Sequence, residues 1–83
     1  MKILYFATIR ARIGFGQEEV SLPADVTSLA GLVDWLKTRG PHYAEALGNA
    51  RTLRAAVNQE HAPFDARISD GDEVAFFPPV TGG

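Results

Sequence analysis

The stretch DVTSLAGLVDWLKTRGP, residues 25–41, carries one long apolar stripe: Leu29, Leu32, Val33 and Leu36 fall at i, i+3, i+4 and i+7. Thr27 or Ser28 can cap the N-terminus by accepting a backbone N–H bond. Lys37 and Arg39 sit in the last turn, where the helix dipole favours cations. Gly40 suits a left-handed residue just past the end, and Pro41 blocks continuation. A single amphipathic helix cannot bury its stripe against itself. The rest of the chain must supply the surface that covers it.

That surface reads as short strands. KILYFATI is β-branched and aromatic, and predicts a buried strand over about Lys2 to Thr8. Ile3, Tyr5 and Ala7 would share one face, with Leu4 and Phe6 on the other. RARIGFGQ, with Gly14 and Gly16, predicts a turn preceded by a short helical piece. EEVSLP is a second strand stopped by Pro23, forming a hairpin with the first. HYAEALGNA is a weaker, shorter helical segment. LRAAVNQE alternates through Leu53, Ala55 and Val57 as a strand; a small strand is expected near Ala62 to Phe64; DEVAFFPP is the last strand, closed by Pro78 and Pro79. The first and last strands are the most apolar, which places them side by side in the middle of the sheet. The expected fold is α+β: a ubiquitin-like β-grasp with a mixed four- to five-stranded sheet packed on one main helix. The expected division is a β-grasp domain over residues 1–77 and an extended, flexible C-terminal tail over 78–83.

Composition narrows the function. With 83 residues, the length is that of one domain. A net charge of -2 argues against a nucleic-acid partner, and Arg10 with Arg12, or Arg51 with Arg54, read as solvated faces. There is no cysteine, so neither a disulfide framework nor a Cys-ligated zinc site is possible. No leader peptide is visible and no apolar run approaches the roughly 20 residues that span a bilayer, so no membrane partner and a cytoplasmic location are expected. His42 and His61 have no carboxylates at ligand spacing, and no metal site is expected. SDGDE is too short for a calcium loop and reads as a turn, with Asp70 and Asp72 as an acidic patch. GFG is not a phosphate loop. As a free-standing enzyme the chain has almost no equipment.

What remains is the ending, FFPPVTGG. Phe76 and Phe77 are adjacent in a strand, so they point to opposite faces. One belongs to the core; the other faces outward with Leu4 or Phe6, as an apolar interface patch. Pro78 and Pro79 hold the next residues extended, and the β-branched Val80 and Thr81 favour extension too. Six residues, 78–83, reach roughly 20 Å when extended. Gly82 and Gly83 have no Cβ and fit a channel too narrow for other residues.

These blocks resemble the small-subunit family of molybdopterin synthase, ubiquitin-like sulfur carriers. MKILYFATIRARIG resembles the family's opening strand and arginine-containing turn, LRAAVNQE its AAVNQ strand, and DGDEVAFFPPVTGG its C-terminal signature. The resemblance implies that an E1-like activating enzyme uses ATP and magnesium to adenylate the Gly83 carboxylate, and that sulfur then replaces AMP to give a thiocarboxylate. It implies that the tail enters the large subunit of the synthase, where the sulfur attacks cyclic pyranopterin monophosphate during molybdenum cofactor biosynthesis. Two carriers would serve each product, in a heterotetramer of two small and two large subunits. On this reading Gly83 is the reacting residue and Gly82 gives clearance. Phe6, Phe77, Pro78, Pro79, Val80 and Thr81 dock the partner, the large subunit supplies the catalytic side chains, and the chain itself binds no cofactor. Two alternatives share the terminal Gly-Gly: a sulfur carrier for thiamine or another thio-cofactor, and a ubiquitin-like protein modifier.

Overall fold

Strand β1 (Lys2–Tyr5) pairs in parallel with β5 (Glu73–Phe77), which joins the two ends of the chain at the centre of the sheet. The computed structural model describes residues 1–49 and 51–79. Between the two central strands run α1 (Ala7–Ile13), β2 (Gln17–Glu19), α2 (Leu29–Lys37), α3 (Pro41–Leu47), β3 (Arg54–Val57) and β4 (Glu60–His61). The sheet order is β2-β1-β5-β3-β4, with every pair antiparallel except β1 with β5. This is the mixed β-grasp sheet that the apolar first and last strands predict.

One face of the sheet carries the core. Ile3 pairs with Val74 and Tyr5 with Phe76, and all four are buried. The α2 stripe covers them: Leu29, Leu32 and Leu36 are fully buried and Val33 nearly so. Burying each such side chain is worth about 1.5–3 kcal/mol. Ile9 and Ile13 from α1, and Tyr43 and Leu47 from α3, complete the same cluster.

The α2 boundaries have identifiable causes. The Gly31 N–H donates to Ser28 Oγ at 3.1 Å, the expected cap. At the other end the expectation for Gly40 fails. The Thr38 N–H reaches Trp35 O, its hydroxyl donates to the same carbonyl at 2.6 Å, and the Arg39 N–H reaches Leu36 O. These bonds satisfy the last carbonyls, so no left-handed residue is needed. Gly40 is extended instead and precedes α3, whose first turn opens with Pro41.

The first strand is shorter than predicted. It ends at Tyr5, because Ala7 turns the chain at φ 52° and α1 follows. Ile9 and Ile13, four apart and both buried, are the helical signal, and α1 is the short helical piece expected before the Gly14 turn, beginning two residues inside the predicted strand. Gly14, at φ 103°, closes α1 by donating its N–H to Arg10 O. The small strand also falls earlier than predicted, at Glu60–His61. Asn58 and Gln59 have φ 51° and 70°, a two-residue hairpin loop with both central residues left-handed.

Asp70 and Asp72 brace the fold rather than form a free acidic patch. Asp70 Oδ1 accepts from the Leu22 N–H at 2.7 Å and lies 3.5 Å from the N-terminal amine. Asp72 accepts from the Ser69 N–H and from Asn58 Nδ2.

Two outcomes follow from this packing. Leu36→Ala should lower stability by about 2–5 kcal/mol, read from urea unfolding midpoints. The Leu22 N–H, and secondarily the N-terminal charge, hold the Asp70 carboxyl below its ordinary value. Its contribution is therefore present above the unfolded carboxylate's pKa and is lost as pH falls through the folded one. Asp70→Asn should reduce the melting temperature at neutral pH, and the gap to the parent should close on acidification. A gap that stays constant with pH would refute this coupling.

Candidate functional site

The parallel β1–β5 pair ends both strands at the same edge of the sheet, where the expected docking residues Phe6, Phe77, Pro78 and Pro79 fall. Tyr5 is level with Phe76, and the Phe6 N–H donates to Phe76 O at 3.1 Å. Phe6, just past the end of β1, and Phe77, the last residue of β5, therefore fall side by side. Phe6 is 47% exposed, Phe77 is half-buried, and Pro78 and Pro79 continue from it, also half-buried. The structure thus brings together Phe6, Phe77, Pro78 and Pro79. Val80, Thr81, Gly82 and Gly83 lie outside the described residues.

The outward-facing side chains of the sheet continue this patch. Leu4 pairs with Ala75 and Ala75 with Ala56, all on the face opposite the helices, and Phe77 pairs with Arg54 one step further along. His61 is level with Ala56, and its ring stands edge-on to Phe77, 5.3 Å between centroids. Lys2 and Glu73, paired across β1 and β5, mark the charged end of the same face. The expected division of the two adjacent phenylalanines holds: Phe76 is fully buried and Phe77 is on the open face.

Behind the patch is a polar cluster that no local spacing reveals. Glu18 Oε2 accepts from the Tyr5 hydroxyl at 2.6 Å and from the Tyr43 hydroxyl at 2.8 Å. Glu18 Oε1 accepts from Arg39 Nη1 at 2.9 Å. Its four members come from β1, β2, α3 and the segment after α2, so only the tertiary fold assembles them. Burial, reinforced by the bonds to Glu18, pushes the Tyr43 phenol up to about 12 and the Tyr5 phenol further still. Both remain protonated donors through the neutral range, so the cluster pins β1 and β2 to the helical layer.

Among the described residues the arrangement is a largely apolar face with Pro78 and Pro79 continuing from its edge. Among the described residues, no three His, Asp or Glu side chains are grouped to hold a metal ion. Among them too, no helix is long and apolar enough to cross a membrane.

The sequence profile of the ThiS family matches residues 3–83. The chain belongs to the ThiS family. Within it, the chain is similar to the molybdopterin synthase sulfur carrier subunit of Escherichia coli (strain K12): 43% identical over 83 residues, covering 100% of this chain and 99% of the relative. Its fold matches the crystal structure of SAMP1 from Haloferax volcanii with a TM-score of 0.78 at 26% identity, covering 100% of this chain and 98% of that one. A chain in the complex of subunits 1 and 2 of molybdopterin-converting factor from Helicobacter pylori shares the ThiS-family fold at 22% identity and a TM-score of 0.65, covering 99% and 96%. That likeness is one of fold alone.

The two faces should respond differently to truncation. Phe76→Ala should cost about 3–5 kcal/mol of stability, as for a buried aromatic. Phe6→Ala should cost no more than about 1 kcal/mol, because much of its ring is already in water. Chemical denaturation of both variants checks this, and equal losses would place Phe6 in the core.

Proposed function

We propose that this chain is the sulfur-carrier small subunit of a molybdopterin synthase, with residues 1–77 as its handle and 78–83 as the reactive arm. The full-length similarity to the E. coli carrier supports this reading most directly. The geometry at the sheet edge is consistent with it, because an apolar patch surrounds the point where the proline stem departs.

The chemistry follows from the terminal carboxylate. A free carboxylate is a poor acyl donor, since its leaving group would be oxide. Attack by a Gly83 carboxylate oxygen on the α-phosphorus of ATP expels pyrophosphate and gives an acyl adenylate. The activating enzyme supplies the magnesium and the site for this step. Hydrosulfide, or its equivalent delivered from a persulfide with a thiol as reductant, then adds to the acyl carbon and expels AMP, leaving the thiocarboxylate. In the large subunit the thiocarboxylate sulfur displaces an oxygen substituent from a side-chain carbon of cyclic pyranopterin monophosphate, and water then cleaves the acyl carbon–sulfur bond, leaving sulfur on the pterin and returning the Gly83 carboxylate. This chain contributes position: Phe6 and Phe77 dock, Pro78 to Thr81 span, and Gly82 passes a constriction without a side chain. Its lack of cysteine is compatible with carrying sulfur on the terminus.

Deleting Gly83, or appending one residue after it, should abolish molybdopterin formation in a reconstituted system while leaving the circular dichroism spectrum unchanged. Protein from cells making the cofactor should gain about 16 Da, one oxygen replaced by sulfur, on Gly83. Sulfur transfer only with a thiazole synthase, or abundant Gly-Gly remnants of this chain on cellular lysines, would overturn the assignment in favour of a thiamine carrier or a protein modifier.

A further inference from the structure

The exposed large hydrophobic side chains among the described residues are Phe6 and Phe15, and both line the same cleft. It is an open depression of ≈ 500 Å³ between the end of β1, α1 and the turn before β2, with Leu4 and Gln17 on its floor. Arg10 lines the cleft together with Phe6 and Phe15. Its guanidinium group packs over Gly16 so closely that a Cβ built there would stand 3.2 Å from Arg10 Cζ and Nε. A side chain at position 16 would push the guanidinium aside, so the glycine helps place it. Phe15 is held in turn by edge contacts to Tyr5 at 6.0 Å and Tyr43 at 6.5 Å, the two phenols anchored on Glu18.

The charge in this cleft is unanswered. Helix α1 holds Arg10 and Arg12 and no acidic residue, although the whole chain is net negative. The ion pairs found among the described residues are Arg39 with Glu18 and the N-terminus with Asp70, so Arg10 is in neither. None of the residues lining the cleft is acidic. A cation lining one cleft with two exposed aromatic residues fits a ligand that is apolar in one part and anionic in another. The sequence pattern alone suggests only a solvated basic face at Arg10. The tertiary structure adds the aromatic walls.

The cleft adjoins the tail exit. Phe6 is shared between it and the patch beside Phe77, and Leu4 continues from its floor onto the open sheet face. A partner that takes in the tail must cover this edge.

We propose that the Phe6–Arg10–Phe15 cleft is a second anchoring point for the large subunit. That subunit would fill the cleft with an aliphatic or aromatic side chain and place a neighbouring carboxylate on Arg10. This rests on the sulfur-carrier reading, since the large subunit is the occupant that reading requires. The apolar face through Leu4, Ala75 and Phe77 supplies contact area; the cleft supplies orientation about the stem, because Arg10 lies off the axis on which the tail departs.

Calorimetric titration of the full-length carrier with the large subunit tests the proposal. Arg10→Glu should weaken binding by about tenfold or more, as expected for reversal of a charge facing a carboxylate. Arg10→Lys should recover part of the loss. The parent's affinity should fall with added salt more steeply than that of Arg10→Gln. Phe15→Ser should also weaken binding, with circular dichroism confirming that its contacts to Tyr5 and Tyr43 are not needed for folding. Lys37→Glu, an equal charge change on α2, should bind like the parent. Parent-like binding by Arg10→Glu, or an equal loss in Lys37→Glu, would overturn the cleft while leaving the sulfur-carrier reading intact. Failure of the parent itself to bind or to transfer sulfur would overturn both.

Discussion

The parallel pairing of β1 with β5 is the constraint on which the rest of this structure depends. It joins residues more than seventy positions apart, so its loop-closure cost must be met by contacts that form only when the whole domain is assembled. Those contacts are Ile3 with Val74 and Tyr5 with Phe76, the latter ring pair stacked at 6.2 Å, under the α2 stripe. Hydrogen bonds and apolar burial act on the same residues. The remaining strands attach outward from this pair, each by an antiparallel ladder.

The same pairing creates the site. Because the two strands run in the same direction, both finish at one edge of the sheet. Phe6 turns away there through the positive-φ Ala7, while Phe77 passes straight into Pro78 and Pro79. An antiparallel pairing would have put Phe6 at the opposite end from the stem. Strand direction therefore determines that the apolar patch and Pro78 and Pro79 lie at the same edge. The helical layer buries the other face completely enough that no large apolar residue of the sheet is left exposed on that side.

The core and the exposed Phe15 are also linked through Glu18. Its carboxylate gathers Tyr5, Tyr43 and Arg39, and the two tyrosine rings in turn support Phe15. A part-buried acceptor with this many donors is costly to disturb, because the hydroxyls of the buried Tyr5 and Tyr43 would lose their bonds without fully regaining water. The outer wall of the Arg10 cleft is thus built on a network whose purpose within the domain is to fasten the sheet edge to the helices.

By itself, the sequence determined the layers. The i, i+3, i+4, i+7 stripe of Leu29 to Leu36 specified a helix with one buried face, the apolar runs KILYF and EVAFF specified central strands, and the adjacent Phe76 and Phe77 specified one inward and one outward ring. These are local periodicities, and helix and strand geometry converts them directly into faces. The FFPPVTGG ending likewise pointed to the reading of function before any coordinates. Tertiary structure alone decided where periodicity was ambiguous or irrelevant. It ended the first strand at Tyr5 because Ile9 and Ile13 gain burial as a helix. It made Gly40 an extended residue because Thr38 and Arg39 had already satisfied the carbonyls of α2. It also brought Glu18 to two tyrosines and an arginine, and Arg10 into one cleft with Phe6 and Phe15. Such clusters join residues from separate elements, and their spacing along the chain carries no period, so only the folded arrangement of layers defines them.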